Sequence, residues 1–233
     1  MENKFNILFE DNQIIVVQKP QNMPSQGDSS NDENLLDLIK AYIKEKYNKP
    51  GNVYLGLVHR LDRPTGGVMV FAKTSKSASR LCDQFKTDDV HKTYFAVVVG
   101  SPREKQGKLT HYLKKDEKNN KVVVVPASTT GAKKAELTYS VLEEKDGYSL
   151  VQINLITGRS HQARVQMKML GTPIFGDVKY GGENAQKGLL NLYAVQLVFD
   201  HPVSKEKMRF ICYPPEQEKM WNLFNLEKHL LIK

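Results

Sequence analysis

The residues best suited to chemistry in this sequence lie between Val58 and Lys73, VHRLDRPTGGVMVFAK. A polar loop carries His59, Arg60 and Asp62, turns at Pro64-Thr65-Gly66-Gly67, and runs into an apolar strand from Val68 to Ala72. Arg60 and Arg63 flank Asp62, and nearby positive charge favours the ionised form of an acid. Such a carboxylate serves as a nucleophile or an electrostatic stabiliser rather than as a proton donor. Two glycines directly ahead of a strand let the backbone take positive φ or pass close to a ligand, so they can aim what precedes them. An aspartate among arginines is also an ordinary ion pair or turn former, and Asp62 alone does not choose between these readings.

Two other segments bear on that choice. Val90 to Gly100, VHKTYFAVVVG, reads as a strand holding Tyr94, a residue type that in a strand is first of all a packing residue. Tyr148 to Ile156 alternates, with Val151, Ile153 and Leu155 on one face, and leads into LITGRSHQARVQMKMLGTPIFGDVKYGG. There Thr157-Gly158 forms a turn, Ser160 is expected to cap, and His161 to Leu170 continues as a helix closed by Gly171. His161 and Arg164, three apart, would share a face near the helix's positively polarised N-terminus. Taken alone, His161 reads first as a hydrogen-bonded structural histidine.

The words together decide more than any residue. HRLDRPTGG, an apolar strand and Ala72-Lys73 resemble the signature of the RluA family of pseudouridine synthases: His-Arg-Leu-Asp, two residues, Thr-Ser-Gly, an apolar run, then Ala-Lys. Gly66 occupies the usual Ser position. Lys19 to Ser30, KPQNMPSQGDSS, is similar to the family's Lys-Pro-x-Gly loop, with Asn22 for Gly; Asn also visits the left-handed region. Lys92-Thr93-Tyr94 resembles its Lys-x-Tyr strand. Thr157 to Gln166 resembles Thr-Gly-Arg-x-His-Gln-Ile-Arg-x-His, with Ala163 for Ile and Gln166 for the last His. Gly171 to Gly181 matches Gly-x-Pro-Ile-x-Gly-Asp-x-x-Tyr-Gly throughout, and Asp200-His201-Pro202 resembles the closing His-Pro.

This resemblance, running from Lys19 to Pro215, implies conversion of uridine to pseudouridine in structured RNA, ribosomal or transfer, with no cofactor and no metal. It implies Asp62 as the catalytic carboxylate, Arg164 paired with it, and Tyr94 facing the target base. Arg60 would fill the space left by an extruded uridine, and His59, Arg63, Thr65, Arg159, His161 and Gln162 complete the expected substrate-binding set. Any role of the family's last His is lost or moved at Gln166. The implied fold is α+β, a mixed, mostly antiparallel central sheet flanked by helices, with Asp62 in a cleft across its middle. The expected organisation is one catalytic domain over 1–233, two subdomains sharing one sheet, without the small N-terminal RNA-binding domain of many relatives. The alternative is a non-catalytic RNA-binding or RNA-folding protein on the same fold. A hydrolase using His59 or His161 with Asp62 would need a metal or a Ser/Cys nucleophile at suitable spacing, and the sequence offers neither.

Composition sets the frame. The 233 residues are 40% apolar, enough for a sizeable core, and carry a formal net charge of +8, which suits a polyanion because phosphate-neutralising cations release counterions. Cys82 and Cys212 lie in no metal-binding spacing and read as small buried hydrophobes. The acidic start MENKFNILFEDNQ and the lack of a long apolar run predict a cytoplasmic chain without membrane contact, expected to act as a monomer.

The supporting elements follow by pattern. Phe5 to Phe9 and Gln13 to Gln18 predict strands joined at Glu10-Asp11-Asn12. Leu35, Leu38, Ile39, Tyr42 and Ile43 predict a helix over Asn34 to Tyr47, capped from Ser29 to Asn31 and ended by Pro50-Gly51. Thr74 caps a second, with Ala78, Leu81, Cys82 and Phe85 as its stripe. Lys108 to Val125 and Lys133 to Glu143 predict three strands whose lysines (Lys114, Lys115, Lys118, Lys121, Lys133, Lys134) read as a solvated edge ahead of a phosphate-tracking patch. Leu189 to Phe199 and Met208 to Cys212 complete the strands, and Pro214 to Phe224 predicts a final helix packing Trp221.

Overall fold

A computed structural model describes residues 4–87, 89–182, 188–215 and 219–230. In chain order the elements begin β1 (Asn6–Glu10), β2 (Ile14–Lys19), α1 (Leu35–Lys46), β3 (Gly56–Leu57), β4 (Gly66–Ala72) and α2 (Ser75–Lys86). They continue with β5 (His91–Val99), β6 (Gln106–Asp116), β7 (Lys121–Val124), β8 (Lys133–Lys145), β9 (Tyr148–Leu155), α3 (Gln162–Met169), β10 (Leu192–Asp200), β11 (Lys207–Ile211) and α4 (Leu226–Leu230). The fold is α+β, its strands mostly antiparallel, as the sequence predicted. The chain divides into two units, Met1–His91 with Gln196–Cys212, and Lys92–Val195 with Tyr213–Lys233.

In the first unit β2 lies between β1 and β4, antiparallel to both. The turn at its head is closed by Asp11, whose Oδ1 accepts the N–H groups of Gln13 and Ile14, both at 2.7 Å. All seven residues of β4 are buried, with β3 also paired to it. A strand covered on both faces needs a continuous apolar run rather than alternation, which is what Val68 to Ala72 supplies. Gln196 to Asp200 pairs with β11. Helix α1 buries Leu35, Ile39 and Ile43, and its cap is Asn34, not a residue from Ser29 to Asn31. Asn34 directly precedes the first apolar residue, and its Oδ1 accepts the Asp37 N–H at 3.1 Å. Thr74 caps α2 as expected. Cys82 is half-buried rather than buried, because it sits at the margin of the α2 stripe; Cys212 is buried.

Glu10 binds this unit together. Its Oε2 accepts from Lys46 Nζ at 2.7 Å and Tyr42 Oη at 3.0 Å, and its Oε1 from Lys73 Nζ at 2.7 Å and Tyr47 Oη at 2.9 Å. One carboxylate thus joins β1, α1 and the end of β4.

In the second unit the strand order is β5-β9-β8-β6-β7, every pair antiparallel. Leu113, Val122, Ala135, Val165 and Tyr180 form one buried cluster that fastens the β6–β7 hairpin to α3. Two expectations are corrected here. Ser160 does not cap α3: the cap residue is His161, in a left-handed conformation at φ 52°, with no side-chain capping bond. The helix predicted over Pro214 to Phe224 is reduced to a single 3₁₀ turn at Trp221–Leu223, with α4 following it. Asn225 Oδ1, accepting from Lys228 N at 3.2 Å, caps the helix that does form. Residues 216–218 of that prediction lie outside the described ones. Trp221 is buried, as expected.

Burial raises the Glu10 pKa, and the two lysines and two tyrosines outweigh it, taking the carboxyl from 4.5 to about 2. A depressed carboxylate stabilises the fold above its unfolded pKa and loses that contribution as pH falls toward the folded one. Glu10→Gln should therefore cost about 3 kcal/mol at neutral pH, because it leaves the nearly buried Lys73 ammonium without its carboxylate. In urea titrations it should also flatten the acid limb between pH 4.5 and about 2.

Candidate active site

Asp62 sits half-buried on the loop between β3 and β4, and that loop is held by its backbone. Lys19, at the end of β2, has no solvent exposure and donates from Nζ to the carbonyls of Pro20 (2.9 Å), Met23 (2.6 Å) and Arg63 (3.1 Å). The Ser25 hydroxyl donates to Leu61 O at 2.8 Å and accepts from Leu61 N at 3.2 Å. Gln21 Nε2 donates to Pro64 O at 3.2 Å, and Thr65 N closes the turn onto Asp62 O at 2.9 Å. The segment from Pro20 to Ser25 therefore braces Leu61, Arg63 and Pro64 on either side of the acid. Gly67, opposite Lys19 in the β2–β4 ladder, takes φ 128°, a conformation open to glycine, as the sequence anticipated.

Around this loop the expected contacts divide. Arg60 and Arg63 are exposed, Arg63 pairing with Asp32 at 2.5 Å. His59 lies beneath, stacked on Phe85 with ring centroids 4.5 Å apart, its Nε2 accepting the Val70 N–H at 3.1 Å. That bond places the proton of a neutral ring on Nδ1. Thr65 is buried and serves the turn.

The second unit gathers Arg159, His161, Gln162 and Arg164 on one loop and helix, and carries Tyr94, buried, on β5 opposite Ile153. Tyr180 is the hub. Val122 N donates to its hydroxyl at 2.9 Å, and the same hydroxyl is hydrogen-bonded to His161 Nδ1. Gln162 is buried, its Nε2 donating to Glu136 O at 2.9 Å and its Oε1 accepting from Thr157 Oγ1 (2.8 Å) and Arg159 N (3.0 Å). It is a strut of the loop, a duty the motif alone did not separate from substrate contact. Arg159 is exposed and donates from Nε to Lys134 O at 2.9 Å.

Arg164 is buried, and its Nε and Nη2 meet Asp177 Oδ2 at 2.8 Å and Oδ1 at 2.7 Å. This bidentate pair fixes the guanidinium plane, which also lies 5.1 Å from the centre of the Tyr180 ring. Asp177 Oδ1 further accepts the N–H groups of Lys179 (3.1 Å) and Tyr180 (3.0 Å). Gly176 precedes it at φ 76°, where a Cβ would stand 2.0 Å from Leu189 O, so only glycine fits. Gln166, at the position of the family's His, is fully buried and donates from Nε2 to Leu109 O (3.2 Å), His111 Nδ1 (3.0 Å) and Ala135 O (3.3 Å). Burial holds the His111 pKa below its ordinary value, consistent with a neutral ring accepting that bond.

Sequence reasoning missed Lys19, Ser25, Asp177 and Tyr180 as functional supports. Their signals were present, in the Lys-Pro at a strand end and in the Gly-Asp-x-x-Tyr match. Among the described residues no three His, Cys, Asp or Glu side chains could hold a metal, and no helix is long and apolar enough to cross a membrane.

Comparison with known proteins places this geometry. The RNA pseudouridylate synthase family model matches residues 13–169. Ribosomal large subunit pseudouridine synthase C of Vibrio vulnificus is 33% identical over 209 residues, 87% of this chain and 63% of its own length. Ribosomal large subunit pseudouridine synthase D of Borreliella burgdorferi is 35% identical over 200 residues, 83% of this chain and 60% of its own. The chain thus spans less than two thirds of the length of these curated relatives. Among solved structures, human RNA pseudouridylate synthase domain containing 4 aligns with a TM-score of 0.76 at 28% identity, over 91% of this chain and 89% of that one. Human RNA pseudouridylate synthase domain containing 1 shares the fold, with a TM-score of 0.73 at 22% identity over 98% and 94% of the two chains.

Lys19 offers a direct check on the loop. Burial takes its pKa from 10.5 to about 7, against the pull of Asp62, whose charge favours the ammonium. Between those values the unfolded chain holds a proton that the fold has released, so stability rises with pH. Relative to Lys19→Met, the wild type should gain unfolding free energy from about pH 7 toward 10.5, by up to about 1.4 kcal/mol per pH unit, and the difference should be level below pH 7.

Proposed function

This chain belongs to the RNA pseudouridylate synthase family, in its RluA branch, and on that ground we propose that it isomerises uridine to pseudouridine in structured RNA. Ribosomal RNA is the favoured substrate class, since the two bacterial relatives are named for the large ribosomal subunit. The observation that carries the proposal is Asp62 on a loop whose backbone is braced from both sides.

The reaction breaks the glycosidic C–N bond, turns the freed uracil and rejoins it through carbon. Asp62 supplies the ionised carboxylate, adding to the uracil ring or assisting departure of the base from ribose. Arg164, its plane fixed by Asp177, is assigned to keep that carboxylate charged, and a guanidinium held in advance needs no reorganisation when charge develops. Tyr94 stacks on the uracil and exchanges a proton late in the reaction. A stacked uridine hides its reactive atoms and must be extruded, and exposed Arg60 is suited to the space it leaves.

A binding protein without catalysis would need no braced acid, and one variant separates the two readings. Asp62→Asn should lower kcat on unmodified ribosomal RNA by on the order of 10³-fold or more, with RNA affinity within about twofold of wild type. Wild-type protein that forms no pseudouridine, or an Asp62→Asn protein that forms it at the normal rate, would overturn the proposal.

A further inference from the structure

The lysines of the β6–β7–β8 hairpin system, left by the sequence as a solvated edge, have an arrangement that an edge does not require. Between Lys108 and Lys134 there are seven lysines and two carboxylates. The ladder pairs Tyr112 with Lys134, Lys114 with Val123 and Asp116 with Lys121. Opposed residues share a face and alternate residues repeat it, so Lys108, Lys114, Lys121 and Lys134 project from the same face, around half-buried Tyr112. The opposite face carries Leu109, Leu113, Val122 and Ala135 against the core. Glu136 engages Lys108 (2.9 Å) and Lys134 (3.0 Å), and Glu117 engages Lys115. Lys114, Lys118, Lys121 and Lys133 form no ion pair among the described residues, and all four are exposed.

Blunting an edge strand takes one or two charges on β7; here the charge spreads over three strands and is compensated only in part, by Glu117 and Glu136. The hairpin is also tied down. Tyr180 Oη takes the Val122 N–H, Lys179 Nζ donates to Asn120 O at 2.8 Å, and Arg159 Nε donates to Lys134 O. Two of these bonds come from Lys179 and Tyr180 and the third from Arg159, and Tyr180 also meets His161, so the basic face is held beside the segment that carries Arg159 and His161. A fixed array of cations beside that segment loses little side-chain and loop freedom on meeting a polyanion.

We propose that this face is a phosphate-binding platform for the RNA stem flanking the target uridine. The platform rests on the reading of RNA as substrate and adds to it where the duplex lies. Its contacts are to the backbone, so they supply affinity and register rather than sequence choice.

Binding of a generic RNA stem-loop, measured against salt, tests it without requiring catalysis. The triple variant Lys114→Gln, Lys118→Gln, Lys121→Gln should weaken binding on the order of tenfold at about 0.1 M salt and reduce the slope of log K against log salt by about 2 to 3. A control triple of equal charge loss on α1 and its neighbours, Lys44→Gln, Lys49→Gln, Lys76→Gln, should leave the slope nearly unchanged. On ribosomal RNA the platform triple should raise KM and spare kcat. Equal weakening by both triples, no weakening by either, or a wild type that binds no stem-loop would overturn the platform. If binding falls as described while no pseudouridine is formed by wild type, the platform stands and the catalytic assignment falls.

Discussion

The constraint on which the first unit's chemistry depends is a buried ammonium with nowhere to go. Lys19 ends β2 without solvent, and three carbonyls from two separate loops converge on its Nζ. A buried cation unmatched by such acceptors would be expelled or neutralised, so the loops must close around it, and closing them sets the backbone on both sides of Asp62. The charge of Asp62 favours the ammonium form of Lys19, which couples the electrostatics of the site to the folding of its support. Ser25 finishes the brace by serving one residue, Leu61, as both donor and acceptor.

The second unit reaches rigidity by a different route, through hubs rather than one buried charge. Asp177 takes two donors from Arg164 and two backbone N–H groups, and Tyr180 joins His161 to the β6–β7 hairpin. His161 holds a left-handed backbone at φ 52° for which it has no glycine's freedom, a strain of about 1 kcal/mol or more that the surrounding bonds must outweigh. Strain of this kind persists where a side chain must be aimed.

Much of the fold was legible because burial pattern and turn chemistry are local. The all-apolar Val68 to Ala72, the alternation in β9 and Thr74 before α2 each announce an element from neighbouring residues alone. The misreadings have separate causes. Ser160 looked like a cap, but α3 starts after His161, whose ring meets Tyr180 19 residues away. The last predicted helix was placed too early, because apolar spacing was followed where the cap at Asn225 marks the start. Within the site, Asp62, Tyr94 and Arg164 stood out by motif, whereas Lys19 gave no periodic signal because its role is to donate to the Arg63 carbonyl, 44 residues away, as well as to two local ones. Gln162 illustrates the opposite error: a polar residue inside a catalytic-looking word whose amide serves the loop itself.

The account's central claim is that the Asp62 loop is built before RNA arrives. Amide hydrogen exchange on the RNA-free protein examines it most directly, through the Leu61 and Thr65 N–H groups that bond to Ser25 and to Asp62 O. The account predicts protection at both positions comparable to that of β4. Exchange there at the rate of an unstructured chain, with protection appearing only when RNA is added, would contradict it.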